Sequence, residues 1–593
     1  MSVKNHKKSS IFFAFLIFFI ALFFRAYNPQ WDSGYHLHPD ERFLTMVISD
    51  IKLPNSLHQY FDSSTSPLNP YNYSNYKFFV YGTFPIFTAK FLSHLLNYDT
   101  YDKFLIFGRY FSAIFDSLNI LILYLISALI FSDKSRFRHE FFWLNLAGII
   151  YSFTVLPLQL SHFFTVDTFL CFFLLSTFYF LSRYIFSRNN LWLILASFTY
   201  GLAFSSKISA ILFAPVIIIF LLYYFFHIKK SIQTLIFYLL FAITTLVTFR
   251  IFQPYAFNGL ASINPQFLDS LKQLNGIVNN RDPYYPPEVQ YLDRTPIIYP
   301  LTTLILWGFG LPLSLVLITA LPQYLLRQRF LFRSFIQLNL PTFILSLMVF
   351  WSIFLICYQG LQFTNTVRYF LPIYPYFSLI LAYIFFSFPK YKKIYFCLLS
   401  LHFIYFFAFF GIYTRPHSRV AASYWIYQNI PTASKITNEV WDDTLPLDIP
   451  GHYFSLYQNT QLPLYDPDTV QKWQKLDSEI QSSNYIFLTS NRLWGSISRV
   501  PNRYPDSSNF YQSLFQENFD FKRLISFTSY PGFSLPFIKK CIFLGPTNYP
   551  GLPVSWLAVD SHCYYPGIYF RDDTAEESFT VYDHPQVIIF AKK

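Results

Sequence analysis

IFFAFLIFFIALFFRAYNPQWDSGYHLHPDERFL, residues 11–44, decides how this chain is read. Lys4, Lys7 and Lys8 precede an apolar run, and a cluster of ionisable side chains follows it. A run near the ~20 residues that cross a bilayer, set between a basic flank and a polar loop, reads as a membrane span. No small-x-small cleavage site follows, so the segment is expected to stay as the first span. The basic flank assigns the N-terminus to the cytoplasm and HPDERF to the outer side.

Working outward from that stretch, similar apolar runs recur up to Tyr413 and stop there. The 593 residues are 53% hydrophobic and 13% charged, where a soluble domain carries about 25% charged residues. Spans are expected near 11–28, 104–131, 140–158, 163–186, 191–206, 208–227, 231–252, 299–325, 335–357, 370–388 and 392–412. The expected fold is a polytopic α-helical membrane protein of about 11 spans, residues 1–412, with a first outer loop over 29–103. A C-terminal extracytoplasmic α/β domain, residues 413–593, is expected to follow. The apolar stretch Phe78–Leu96 is expected to lie along the surface or re-enter.

The net charge of +12 has its source in short links between runs. These are Lys4/Lys7/Lys8, Lys134/Arg136/Arg138, Arg183/Arg188, Lys229/Lys230, Arg327/Arg329/Arg333 and Lys390/Lys392/Lys393. The topology above puts all of them on the cytoplasmic face, the positive-inside pattern. With no recognition motif beside the charge, nucleic acid is excluded as a partner.

The same topology gathers ionisable residues on the outer face. His38, Pro39, Asp40 and Glu41 follow the first span, where Pro suits a helix first turn and acids suit its positive end. Asp40 and Glu41 either stabilise a surface helix or carry chemistry; neighbours on a helix point about 100° apart, so only one of them can face a reacting atom. His162 and Asp167 lie in the short second outer loop, Asp167 at the mouth of the next span. Lys207 and Arg368, followed by Tyr369, mark two further outer hinges, either snorkelling to the interface or binding an anion. Arg109 and Asp116 share a helix face roughly 10 Å apart, too far for a direct pair, so Asp116 needs another partner.

His36, His38 and His162 could join the acids around a divalent metal, but no HExxH or CxxC pattern supports it, and no cofactor is expected. Cys171, Cys357 and Cys397 lie in expected spans, whereas Cys541 and Cys563 share the outer tail, where a disulfide is expected. The absence of a G-x-x-x-x-G-K loop argues against a nucleotide-driven pump. In the tail, RVAASYWIYQNI reads as a helix, SKITNEVW and NYIFLTSN as strands, and SFTVYDHPQVIIFAKK as a hairpin turning at Asp583–Pro585.

From HPDERF onward the chain resembles the phospholipid-carrier-dependent glycosyltransferases of the C-type membrane fold, a superfamily that includes protein O-mannosyltransferases and the lipid A aminoarabinose transferase. The resemblance runs in order through YGTFPIF, GRYFSAIFD, SHFFTVDTF, GLAFSSK, RIFQPYAF and VRYFLPIYP. It continues through RVAASYWIYQNIP, NEVWDD, SNRLWGS and AEESFTVYDHPQVIIF in the tail, and no WWDYG-like motif is present. It implies a polyprenyl-phosphate-linked sugar as donor, a glycan, lipid or protein as acceptor, and membrane lipid as surroundings. It maps the catalytic acids onto Asp40, Glu41 and Asp167, with Asp40 as general base. Lys207 and Arg368 are then expected on the donor phosphate, supported by His38, Arg109, Asp116, His162 and Tyr369. The expected enzyme is an inverting glycosyltransferase of the cytoplasmic membrane, transferring the sugar on its outer face to an acceptor hydroxyl or an amine-bearing acceptor. The alternatives are a lipid-linked glycan polymerase or ligase, or a non-enzymatic transporter, which would be expected to carry charges inside the bundle and on both faces.

Overall fold

The structure, a computed structural model, describes residues 3–131, 140–259, 262–284, 286–327, 340–545 and 565–593. Among them, eight helices are long and apolar enough to cross a membrane: Lys8–Arg25, Tyr101–Ile130, Asp167–Ser187, Ile208–His227, Ile232–Phe252, Leu340–Leu361, Val367–Ser387 and Lys392–Asn429. Phe142–Ser152 and Val155–Ser161 add a ninth if they form one span bent by 60°. The count differs from about 11 because two expected spans are short or broken. Asn190–Ser206 has 17 residues, and the segment near 299–325 splits into Ile298–Gly308 and a helix from Leu311. Gly310 between them takes a left-handed backbone, with φ +87°, which glycine adopts without steric cost. Such breaks leave the apolar pattern intact, so the sequence does not announce them.

Thr83–Leu95, within the stretch that rivals a crossing, is a helix of 13 residues. At 1.5 Å per residue it is roughly 20 Å long, short of a ~30 Å hydrocarbon core. The links Lys134/Arg136/Arg138 and Arg329/Arg333 lie outside the described residues.

After the last span the chain forms a sheet-containing region. Lys435–Glu439 pairs in parallel with Gln458–Leu462 and with Tyr485–Leu488. Val587–Lys592 lies between Tyr485–Leu488 and Phe521–Phe527, antiparallel to both. Alternation along these strands builds two cores. Ile486, Leu488, Ile588 and Phe590 enter one, whereas Phe487, Val587 and Ile589 enter the other. A strand buried on both faces reads as a continuous apolar run, and VIIF does so. The expected helix and first two strands are found at Ser418–Asn429, Lys435–Glu439 and Tyr485–Leu488.

The expected terminal hairpin is not formed. Its first half is instead a short helix, Glu577–Thr580, and Val587–Lys592 takes its partners from elsewhere in the sheet. The reason lies in what residues 572–584 touch. Phe579 packs into the core of the membrane bundle, 5.2 Å from the Phe409 ring. Asp583 accepts from Gln159 at 3.0 Å and from Tyr413 at 2.8 Å. Burial disfavours a charged His584, but Asp572 and Asp583 on its two ring nitrogens raise it to about 10. This segment ties the tail to the bundle. Cys541 is disulfide-bonded, Cys171, Cys357 and Cys397 are free, and the expected partner Cys563 lies outside the described residues.

Candidate active site

The helix Pro39–Asp50 starts with Pro39 in its first turn and His38 as its cap, whose Nδ1 accepts the Glu41 N–H at 3.3 Å. That bond requires an unprotonated Nδ1. Burial provides it by lowering His38 to about 4. The His38 ring sits between Phe163 and Tyr582, 4.5 and 4.3 Å away.

From this start Asp40 and Glu41 diverge. Glu41 is fully buried and takes two hydrogen bonds from Arg109, at 2.8 and 2.7 Å, and one from the Phe164 N–H at 2.9 Å. Arg109 also grips Asp32 with two bonds of 2.9 Å. Two acids thus share one cation out of reach of solvent. Burial favours the neutral form of both; the Arg109 charge nonetheless carries Asp32 well below the usual carboxylate range, while Glu41 stays raised. A Cβ on Gly108 would stand 2.3 Å from the Phe164 ring. The glycine therefore allows the loop holding Phe164 to press against the Tyr101–Ile130 helix and offer its N–H to Glu41.

Asp40 instead keeps 22% of its side chain exposed and forms an ion pair with Arg368. The Tyr81 hydroxyl donates to its Oδ1 at 3.0 Å. Burial would raise the Asp40 carboxyl, but the Arg368 guanidinium outweighs it and holds the group well below the usual carboxylate range. Tyr81 is brought here by Gly82, whose N–H donates to the Ser206 carbonyl at 3.1 Å. Any Cβ on Gly82 would lie 2.2 Å from the carbonyl oxygens of Ser205 and Ser206. That contact also places the loop beside Lys207.

Lys207 donates to Asp167 at 2.7 Å. Asp167 is in the first turn of its helix, where the helix dipole favours negative charge. The Tyr369 ring is near both cations, 4.6 Å from Lys207 Nζ and 5.7 Å from the Arg368 guanidinium carbon. Five expected residues, Asp40, Asp167, Lys207, Arg368 and Tyr369, thus meet at one face, and Arg368 is within electrostatic reach of both acids. Lys207 and Arg368 each keep 22% of the side chain exposed.

The other expected residues stand apart from that group. Asp116 lies deeper, bound to Arg25 at 2.5 Å and to Tyr151 at 2.6 Å. His162 stacks on Tyr413 with ring centres 3.7 Å apart. Among the described residues, no group of three or more His, Cys, Asp or Glu could hold a metal ion. Asp32, Arg25, Tyr81 and Tyr582 escaped the sequence reading. Asp32 lies in the quoted stretch but gains meaning only from Arg109, 77 positions on. Arg25 looks like an ordinary flank of a span, and Tyr81 is one of 47 tyrosines.

No curated protein matches the chain. Solved structures similar to it include an oligosaccharyltransferase of Archaeoglobus fulgidus, at 13% identity and TM-score 0.46, with 85% of this chain and 72% of that one covered. Another is ArnT of Cupriavidus metallidurans bound to undecaprenyl phosphate, at 12% identity and TM-score 0.42, covering 72% and 73%. A third is the oligosaccharyltransferase AglB of Archaeoglobus fulgidus with an inhibitory peptide and a dolichol-phosphate, at 14% and TM-score 0.44, covering 81% and 69%. The resemblance carried by the ordered motifs has its match in the segment that holds Arg109, Asp116, Asp167 and Lys207: residues 105–252 fit the family of dolichyl-phosphate-mannose-protein mannosyltransferases.

Proposed function

We propose that this protein transfers a sugar from a polyprenyl-phosphate donor to an acceptor hydroxyl, with inversion, on the outer face of the cytoplasmic membrane. In this reading residues 1–412 carry out transfer and 413–593 form an extracytoplasmic domain. The observation that carries it is the Asp40–Arg368 pair beside Lys207 and Tyr369. Here an accessible carboxylate pairs with one cation, and a second cation contacts the same Tyr369 ring, both at the mouths of apolar helices.

The chemistry follows from those groups. Asp40 takes the proton of the acceptor hydroxyl as its oxygen bonds to the anomeric carbon. The bond from that carbon to the phosphate oxygen breaks, and its electron pair leaves with the polyprenyl phosphate. The departing anion needs cations rather than a general acid, and Arg368 and Lys207 supply them. A donor phosphate that draws Arg368 toward itself loosens its hold on Asp40, so donor binding also makes the base stronger. One base and direct displacement give inversion; retention through a covalent adduct needs two carboxyl groups at the reacting centre. Asp167 holds Lys207, while Glu41, wholly engaged by Arg109 and Phe164, positions the loop.

Asp40→Asn tests the reading. With a radiolabelled polyprenyl-phosphate sugar, the variant should lose at least ~10²-fold in transfer rate while remaining folded. Retention of more than about a tenth of the activity excludes Asp40 as the base.

A further inference from the structure

A cavity of about 250 Å³ opens between the first outer loop and the tail. Its wall includes Pro39, next to Asp40, and Tyr582, whose ring packs on His38. Arg42 and Asp443, both in its wall, form an ion pair at 2.5 Å, their side chains 38% and 18% exposed. Arg419, behind them, binds Asp442 and also Asp443 at 2.6 Å. Arg492 pairs with Glu577 and donates to the Trp441 carbonyl at 2.8 Å. Trp441 is half exposed, with a left-handed φ of +80°. A bulky side chain adopts that conformation only where its surroundings hold it.

Three features limit what can fill this space. Each of its guanidinium groups is already engaged by a carboxyl group of Asp442, Asp443 or Glu577, so none is left free for a phosphate. The wall carries donors (Arg42, Arg419, Arg492) and acceptors (Asp442, Asp443), which suits a ligand that both donates and accepts, as vicinal hydroxyl groups do. Trp441 and Tyr582 add flat apolar faces against which the C–H face of a ring can lie. The volume falls below the ~300–1,000 Å³ typical of drug-sized ligands, matching one ring rather than a chain.

We propose that this cavity binds one saccharide ring of a glycan acceptor and directs its hydroxyl toward Asp40. The proposal rests on the glycosyl-transfer reading and adds to it the chemical class of the acceptor. Trp441 serves as the platform; Arg42, Asp443 and Arg492 read the hydroxyls.

The test uses full-length protein in nanodiscs. It is probed on an array of neutral oligosaccharides beside Ser/Thr peptides and phospholipid headgroups, and titrated separately with undecaprenyl phosphate. The parent protein should retain oligosaccharides. Trp441→Ala and Arg42→Gln should each weaken that binding about tenfold or more, as aromatic and arginine anchors do, with undecaprenyl phosphate affinity unchanged. Carrier binding with no saccharide binding, or capture of peptides or headgroups alone, overturns the proposal. So does saccharide binding that both variants retain in full. Saccharide binding that depends on Trp441 in a protein unable to bind the carrier sinks the donor reading and leaves this site standing.

Discussion

Arg368→Gln should do two separable things to the transfer reaction. Burial favours the neutral form of Asp40, and the Arg368 charge overrides it to keep the carboxyl well below its usual range. An opposite charge this close lowers a carboxyl, so its removal raises Asp40, while the effect of burial remains. The sign follows from the proposed mechanism, in which the carboxylate is the base, so rate is lost as pH falls through its pKa. In the parent protein that acid limb lies below the ordinary carboxylate range. In Arg368→Gln it moves up toward neutrality, and the rate falls tenfold per pH unit below it. At its optimum the variant also loses ~10²-fold or more from the missing phosphate contact. Lys207→Gln serves as the contrast, because Lys207 is bound to Asp167 and not to Asp40. It should slow transfer and leave the acid limb in place. kcat/KM across pH, with radiolabelled donor well below saturation so that Arg368 still holds Asp40, measures both effects. An unmoved limb in Arg368→Gln, or an equal movement in Lys207→Gln, refutes the reasoning.

Two further expectations concern the scaffold. Arg109→Met leaves Asp32 and Glu41 buried without their cation, and breaking such a pair costs ~3–5 kcal/mol; an unchanged Tm in detergent would show that the pair is dispensable. Asn518→Cys, at an exposed position of the tail, should be labelled in intact cells or spheroplasts by an impermeant thiol reagent, above the background of the parent chain. Labelling only after lysis would put the tail in the cytoplasm.

The helical membrane part was legible because hydrocarbon leaves a plain mark: long apolar runs with charge held to their ends. The interruptions were not. Gly310 and the bend after Ser152 alter direction without altering hydropathy, so spans that read as continuous prove short or broken. In the tail, alternation located Lys435–Glu439 and Tyr485–Leu488, but it failed at residues 578–586, where the contacts are with the membrane bundle rather than with a neighbouring strand.

The candidate site divides along similar lines. A charge beside hydrocarbon is costly, so Asp40, Asp167, Lys207 and Arg368 stand out one at a time. What one-dimensional reading cannot supply is pairing, because the partners are far apart in the chain: Asp40 with Arg368, and Glu41 with Arg109. Pairing is what separates two adjacent acids that look equivalent in HPDERF. About 100° of helix rotation turns Glu41 toward a buried cation that occupies both of its oxygens. The same rotation leaves Asp40 at the surface, beside a cation that a phosphate can draw away. The difference in accessibility, 22% against none, follows from that rotation, and it is the physical basis for the proposal that Asp40 takes the proton and Glu41 positions the loop.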